Sequence, residues 1–172
     1  MLKTCLLLAL AVLTCGPAAA QQRSRKAPDG SATQPDLSSV YQKWLNEDVL
    51  YIITPQERKA FLLLSSDAQR ERFIEEFWKR RNPNPASGDN GYRAEHYRRF
   101  AYANQNFGNG KVLGWKTDRG RIYITLGQPD EIQKTPTGEV WFYRHLSGSG
   151  NNVEIVFVND PDTGDLRLRQ NP

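Results

Sequence analysis

Apolar residues recur at the spacing of an α-helix in the first half of the chain. Val40, Tyr41, Trp44 and Leu45 form one apolar stripe, which predicts a helix that begins near Asp36. The segment Thr54-Pro55-Gln56-Glu57 combines an N-cap, a proline at the first helical position and a capping-box glutamate. This combination predicts the start of a second helix.

Two longer helices are predicted further along the chain. Ser66 or Asp67 is placed to cap the first of them, and the segment Asn82-Pro83-Asn84-Pro85 ends it. The second covers about Gly91 to Asn106, where aromatic residues again repeat at helical spacing. The sequence therefore predicts about four helices before residue 108.

After Gly108 the apolar pattern becomes alternating, which is typical of β-strands. Three runs show this alternation and a shorter fourth run follows, at 121–126, 140–142, 153–157 and 166–169. Short connections rich in turn-forming residues separate them, and such connections favour antiparallel pairing. The sequence thus predicts an α+β fold, in which about four N-terminal helices pack on a C-terminal antiparallel β-meander of three to four strands.

The first 20 residues have the pattern of a secretory signal peptide. Lys3 supplies a positive charge, the run 5–13 is apolar, and Ala18-Ala19-Ala20 fits a cleavage site. We expect the mature chain to begin near Gln21. The apolar run is much shorter than the roughly 20 residues that cross a bilayer, so no transmembrane helix is predicted.

A polar segment rich in Pro, Gly and Ser occupies residues 21–36 and is typical of a flexible linker. Residues 37–172 are then expected to form the folded domain. Both cysteines, Cys5 and Cys15, lie in the leader, so cleavage after residue 20 would leave no thiol for disulfides or catalysis. In the alternative, the residues before Cys15 resemble a lipoprotein signal, and a lipid on Cys15 would tether the domain to a membrane.

The charge balance is mildly basic. The net charge of +4 falls to +3 when the leader and its one lysine are removed. A basic protein can bind nucleic acid, but export makes anionic envelope surfaces or partner proteins the more suitable targets. We therefore expect an envelope protein as partner, with a glycan as an alternative and with no nucleic acid.

The segment Gly114-Trp115-Lys116-Thr117-Asp118 matches the motif that names the GWxTD domain family, and Arg119 to Ile124 continues the match. Further blocks at 77–83, 96–104 and 126–132 resemble the family in the same order. The resemblance covers roughly Leu37 to Leu168. It implies an exported bacterial protein, of the kind found in acidobacteria, from a family without an established activity.

The named motif has two interpretations. In the structural one, residues 117–120 form a turn, and Trp115 folds back to cover the apolar layer between the helices and the sheet. In the functional one, Asp118 and Arg119 form a polar pocket beside Trp115 and bind a ligand or a partner loop, together with Arg98 or Arg99. Gly114 and Thr117 belong to the motif in either case.

Two basic clusters accompany the motif. Arg80 and Arg81 lie at the end of the third predicted helix, where they would interact favourably with its dipole. Arg98 and Arg99 lie in the fourth helix. The functional hypothesis is that these two arginine pairs share one surface for an anion or a partner.

Catalytic patterns are weak in this sequence. His96 and His145 occur without the spacing of a known catalytic or metal motif, and the sequence predicts no cofactor and no metal. The leading hypothesis is a non-enzymatic module that binds or assembles with an envelope protein. The alternatives are an enzyme that acts on an envelope polymer, with Asp118 and a neighbouring Arg or His in its site, and a glycan-binding domain with a row of exposed aromatic residues.

Overall fold

The computed structural model describes residues 37–86, 88–146 and 150–169. These residues belong to one compact unit, 34–172. The predicted signal peptide, the linker 21–36, the tether at Cys15 and the expected cap Asp36 all lie outside the described residues. No helix in the described part is long and apolar enough to cross a membrane.

Three helices open the domain. Helix α1 (Ser39–Lys43) continues into a π-helical turn (Trp44–Asp48), and α2 (Pro55–Leu62) and α3 (Asp67–Arg80) follow. The capping box predicted at Thr54 is confirmed, since Thr54 and Glu57 satisfy each other's backbone N–H groups. Ser66 caps α3 in the same way with Gln69.

These helices enclose the first of two hydrophobic clusters, which is rich in aromatic rings. Trp44 lies at its centre, with ring centroids 4.9 Å from Phe61 and 5.2 Å from Phe77. The latter pair meets edge to face, a favourable geometry for aromatic rings. Of the predicted stripe, Tyr41, Trp44 and Leu45 are buried with Phe61 and Phe77, whereas Val40 is 68 % exposed and lies outside this core.

Helix α4 (Gly91–Asn106) has the predicted bounds. A short 3₁₀ turn (Gly114–Lys116) then leads into α5 (Asp118–Leu126). The prediction of a strand at 121–126 was wrong, and so was the predicted turn at 117–120, which is the start of this helix. Ile122, Tyr123 and Ile124 are all buried, so α5 is covered on more than one face and its alternating isoleucines do not mark a strand.

The sheet has four antiparallel strands in the order β1-β2-β3-β4. They are β1 (Glu131–Thr135), β2 (Gly138–Leu146), β3 (Gly150–Asn159) and β4 (Leu166–Leu168). The predicted meander and the α+β fold class are confirmed. Strand β1 was not predicted, because an exposed edge strand of sequence EIQKT shows little apolar alternation.

One face of the sheet packs against α4 and α5 and forms the second hydrophobic cluster. Trp141 and Phe157 are fully or almost fully buried there, with ring centroids 4.9 Å apart. Trp115 also belongs to this cluster. Trp115 is buried, and its ring neighbours are Phe100 on α4 and Tyr51.

Candidate functional site

The motif begins where the chain crosses the backbone of α4. A Cβ atom on Gly114 would lie 1.9 Å from the carbonyl oxygen of Ala103. A Cβ atom on Gly120 would lie 1.9 Å from the carbonyl oxygen of Gly114 itself. The two glycines thus let α4, the 3₁₀ turn and α5 stack backbone against backbone.

Trp115 fills the space that this close approach encloses. Its side chain is 4 % exposed, and its ring stacks on Phe100 with centroids 5.7 Å apart. Its backbone is held on both sides, because its N–H donates to Asn104 Oδ1 and its carbonyl accepts from the Tyr51 hydroxyl. The tryptophan is a core residue with little surface for a ligand.

Thr117 starts α5. Its hydroxyl donates to the Gly114 carbonyl at 2.8 Å and accepts from the Gly120 N–H at 3.0 Å, so it caps the helix and closes the 3₁₀ turn at once. The side chain is buried and both its hydrogen bonds are internal. A hydroxyl at this position therefore has a structural role.

Asp118 connects α5 to the last strand. Its Oδ2 accepts from the backbone N–H of Leu168 at 2.8 Å, and its Oδ1 accepts from Arg121 at 3.2 Å. The carboxylate also lies in the first turn of α5, where the helix dipole favours a negative charge. The geometry is that of a brace between a helix and an edge strand.

Arg119 reaches in a different direction from Asp118. Its Nη1 lies 3.6 Å from a carboxylate oxygen of Glu139 on β2, and its guanidinium lies 5.2 Å from the ring centroid of Phe107. Glu139 in turn accepts from the Trp141 indole N–H at 3.1 Å. Arg119 thus covers the edge of the second hydrophobic cluster with its charge paired.

The basic pair at the end of α3 is bound to one carboxylate. Arg81 donates to both oxygens of Glu57, at 2.9 and 2.7 Å, and Arg80 donates to the same carboxylate at 3.1 Å. Arg81 also donates to the carbonyls of Phe77 and Ile52, and its guanidinium lies 3.6 Å from the Phe77 ring centroid. Hydrogen bonds from Arg81 lower the pKa of Glu57 to about 2.

The basic pair on α4 is bound to another carboxylate. Arg98 donates to both oxygens of Glu95, and Arg99 donates through Nε to Oε1 at 2.6 Å. Hydrogen bonds from Arg98 hold the pKa of Glu95 at about 2. The two arginine pairs thus bind separate carboxylates. Arg80 and Arg81 bind Glu57, which is distant in sequence, and Arg98 and Arg99 bind Glu95 within the same helix.

Gly114, Trp115, Thr117 and Asp118 of the motif thus all lie at contacts between elements of the fold. The profile of the GWxTD domain matches residues 24–167. The chain belongs to the GWxTD domain family. Neither a curated protein nor a solved structure matches it significantly.

Within this GWxTD domain, the predicted site residues form four separate networks, because Arg119 pairs with Glu139 apart from the motif and the two arginine pairs bind different carboxylates. Gly114, Trp115, Thr117 and Asp118 join α4, α5 and β4. The contacts described above favour the structural interpretation of the motif. A binding role for the motif and for the arginine pairs remains a hypothesis.

Sequence reasoning missed the acidic partners of the arginines. Glu95 could have been found, because it precedes Arg98 and Arg99 by three and four residues and so lies on the same helix face. Glu57 was recognised only as a capping residue, and no local pattern connects it to Arg81, 24 residues away. The histidines have ordinary settings: His96 is 4 % exposed and donates through Nε2 to the Asp48 carbonyl, and exposed His145 contacts Asn151.

Replacement of Asp118 by alanine is expected to destabilise the domain by about 1 to 3 kcal/mol, because the Leu168 N–H and Arg121 lose their acceptor. Urea unfolding measures this loss. Asp118→Asn is the matched control, since its amide oxygen can still accept from Leu168, and it should lose less stability. If both variants were as stable as the wild type, Asp118 would not be a brace.

Proposed function

We propose that this GWxTD domain is a non-enzymatic module of the bacterial envelope that binds another protein through the outward face of its sheet. The supporting observation is an apolar patch on the side of the sheet that does not face α4 and α5. Its members are Val140, Phe142, Val156 and Val158, which we call the outer sheet face. Each is only partly buried.

The strand register places these four side chains together. Val140 lies opposite Val156 across β2 and β3, and Phe142 is two residues further along β2. Side chains alternate along a strand, so these residues point away from Trp141 and Phe157 in the core. Antiparallel sheets with one solvated face usually carry polar residues there, and the apolar centre of this face departs from that rule.

Charged and polar side chains surround the outer sheet face. Phe142 lies between Glu131 on β1 and Glu154 on β3, and Val158 lies opposite Arg167 on β4. All three charged residues are exposed. An apolar centre inside a rim of mixed charge is the usual anatomy of a protein–protein interface, which supports a protein as the partner.

The alternative functions receive less support from the described residues. The enzyme of the sequence-based alternative would use Asp118 with a neighbouring Arg or His, whereas Asp118 and Arg119 are engaged with β4 and with Glu139. A glycan-binding surface would need a row of exposed aromatic rings. Tyr92 and Tyr102, each 39 % exposed, are ten residues apart on α4, which separates them by about 15 Å along the helix axis.

The envelope location in this proposal rests on the leader-like first 20 residues of the sequence. We expect the protein isolated from its native cells to begin at Gln21. Intact-mass measurement and N-terminal sequencing test this. A lipid-modified N-terminus at Cys15 would support the tethered form, and an uncleaved chain in the cytoplasm would contradict export.

Photo-crosslinking tests the contact surface directly. A photoreactive phenylalanine analogue is placed at position 142 or 156, and the protein is irradiated in intact native envelopes. We expect one defined adduct from both positions, because both lie on the outer sheet face. The matched control carries the analogue at Leu63, an apolar residue on the helical side that is 76 % exposed, and should give no such adduct.

The crosslinked protein is then identified by mass spectrometry. Its binding to the GWxTD domain is measured again with purified components. Val156→Glu should abolish that binding with a melting temperature close to that of the wild type, while Leu63→Glu should not affect it. Binding that survives Val156→Glu would refute the outer sheet face as the contact surface. Equal adducts from all three positions would indicate non-specific contact and would also refute it.

A further inference from the structure

A small polar cleft lies between α4 and the C-terminal turn of α5. It is lined by Tyr92, Glu95, His96, Arg99, Ile124 and Thr125, and we call it the Arg99 cleft. Its volume is about 60 Å³, which is enough for roughly four water molecules. The Arg99 cleft shares no residue with the outer sheet face.

The guanidinium of Arg99 is fixed in this cleft. Its Nε donates to Glu95 Oε1 at 2.6 Å. Its flat side lies against Gly127, where an added Cβ atom would be 2.9 Å from both the guanidinium carbon and one terminal nitrogen. Gly127 has a φ of +91°, and its carbonyl is held by the Tyr143 hydroxyl at 3.0 Å, so this support is itself anchored.

The terminal nitrogens of Arg99 are left for a ligand. In the part of the chain that the structure describes, Glu95 is the only hydrogen-bond acceptor of this side chain. The side chain is 26 % exposed, so it is accessible as well as held in place. A pre-positioned guanidinium with free parallel N–H groups matches the two oxygens of a carboxylate.

The charge next to the cleft favours an anion. Among the lining residues the charges of Glu95 and Arg99 cancel, and Arg98, which binds the same carboxylate from outside the lining, adds one positive charge. Buried His96 adds no charge, because desolvation lowers its pKa and keeps the ring neutral near pH 7. Thr125 adds a hydroxyl whose proton is engaged by backbone carbonyls of α5, so Arg99 and the Tyr92 hydroxyl are the donors among the lining residues.

We propose that the Arg99 cleft is a binding site for a peptide carboxylate, which the guanidinium of Arg99 receives between α4 and α5. The cleft has room for a group of about four heavy atoms, the size of acetate. A guanidinium also binds phosphate through two hydrogen bonds, but a phosphate has five heavy atoms in a tetrahedron and so exceeds the room in the cleft. This site goes beyond the proposed function, because it uses another surface and another chemistry.

An NMR titration of the intact chain tests this site. The probes are acetate, N-acetyl-dialanine with a free carboxylate, the same peptide as its C-terminal amide, a blocked peptide with one internal glutamate, and inorganic phosphate. We expect acetate and at least one carboxylate peptide to shift the Arg99 Nε–H and the Thr125 amide. The amide peptide should not shift them, and the two carboxylate peptides distinguish a chain end from an acidic side chain.

Arg99→Lys keeps the charge but loses the planar pair of donors, so it should weaken binding of the carboxylate by about tenfold or more. The matched control is Arg72→Lys on the exposed surface of α3, which should bind as the wild type does. Melting temperatures of both variants are recorded to show that each is folded. In the wild type, the residues whose NMR signals shift locate the binding site without any substitution. Shifts confined to residues outside the Arg99 cleft, unchanged binding by Arg99→Lys, or tighter binding of phosphate than of acetate would each overturn the proposal.

Discussion

Gly114→Ala is expected to lower the free energy of unfolding by more than about 3 kcal/mol, which is a large share of the roughly 5 to 15 kcal/mol of a typical domain. The new methyl carbon would lie 1.9 Å from the Ala103 carbonyl oxygen and 2.8 Å from the Asn104 Cα. Both are backbone atoms, so no side-chain rotation relieves the overlap. The 3₁₀ turn would have to move away from α4, and Trp115 would lose its enclosed position.

Urea unfolding followed by circular dichroism and by tryptophan fluorescence measures this loss. Gly91→Ala is the matched control, because Gly91 begins α4 and has nothing within 4 Å of the added carbon. Its stability should stay within about 0.5 kcal/mol of the wild type or rise slightly. If Gly114→Ala were as stable as Gly91→Ala, the close approach to α4 would not explain the motif's first glycine.

Arg81→Ala is expected to lower the free energy of unfolding by about 2 to 4 kcal/mol. This is the second of the two largest effects. The guanidinium contacts both oxygens of Glu57, two backbone carbonyls and the face of Phe77, and its side chain is only 18 % exposed. Its removal leaves Arg80 as the only cation bound to the Glu57 carboxylate in the described part of the chain, and it uncovers part of the first hydrophobic cluster. Thermal and urea unfolding report the change.

The neighbouring residue supplies the control for this experiment. Arg80 binds the same carboxylate through one contact and is 49 % exposed, so Arg80→Ala should cost less than about 1 kcal/mol. The charge removed is the same in both variants. A loss of equal size from Arg80→Ala and Arg81→Ala would mean that net charge, rather than the packed guanidinium, stabilises this helix end.

The motif that names the GWxTD domain family describes a junction in this protein. Gly114 permits close contact with α4, Trp115 fills the enclosed space, Thr117 caps α5 and Asp118 attaches that helix to β4. A replacement at any of these positions affects several elements at once. The proposed binding surfaces therefore lie outside the motif, on the outer sheet face and in the Arg99 cleft.

Local features were predictable because their physical causes are local. The capping box at Thr54, the cap at Ser66 and the bounds of α4 depend on residues three or four positions apart, and the sequence displays those spacings directly. The family was also evident from the ordered motif blocks. The fold class followed from the change of apolar period after residue 108.

The sequence by itself determined helices α1 to α4, the order of helices before sheet and the family, whereas the tertiary structure decided the nature of 118–126 and the pairing of the charges. Ile122 and Ile124 satisfy a strand pattern, but α5 is buried on several sides and its cap at Thr117 fixes a helix. Arg81 finds Glu57 only when α2 and α3 pack together. Local patterns report which faces are apolar, and only packing determines which distant side chains those faces bring into contact.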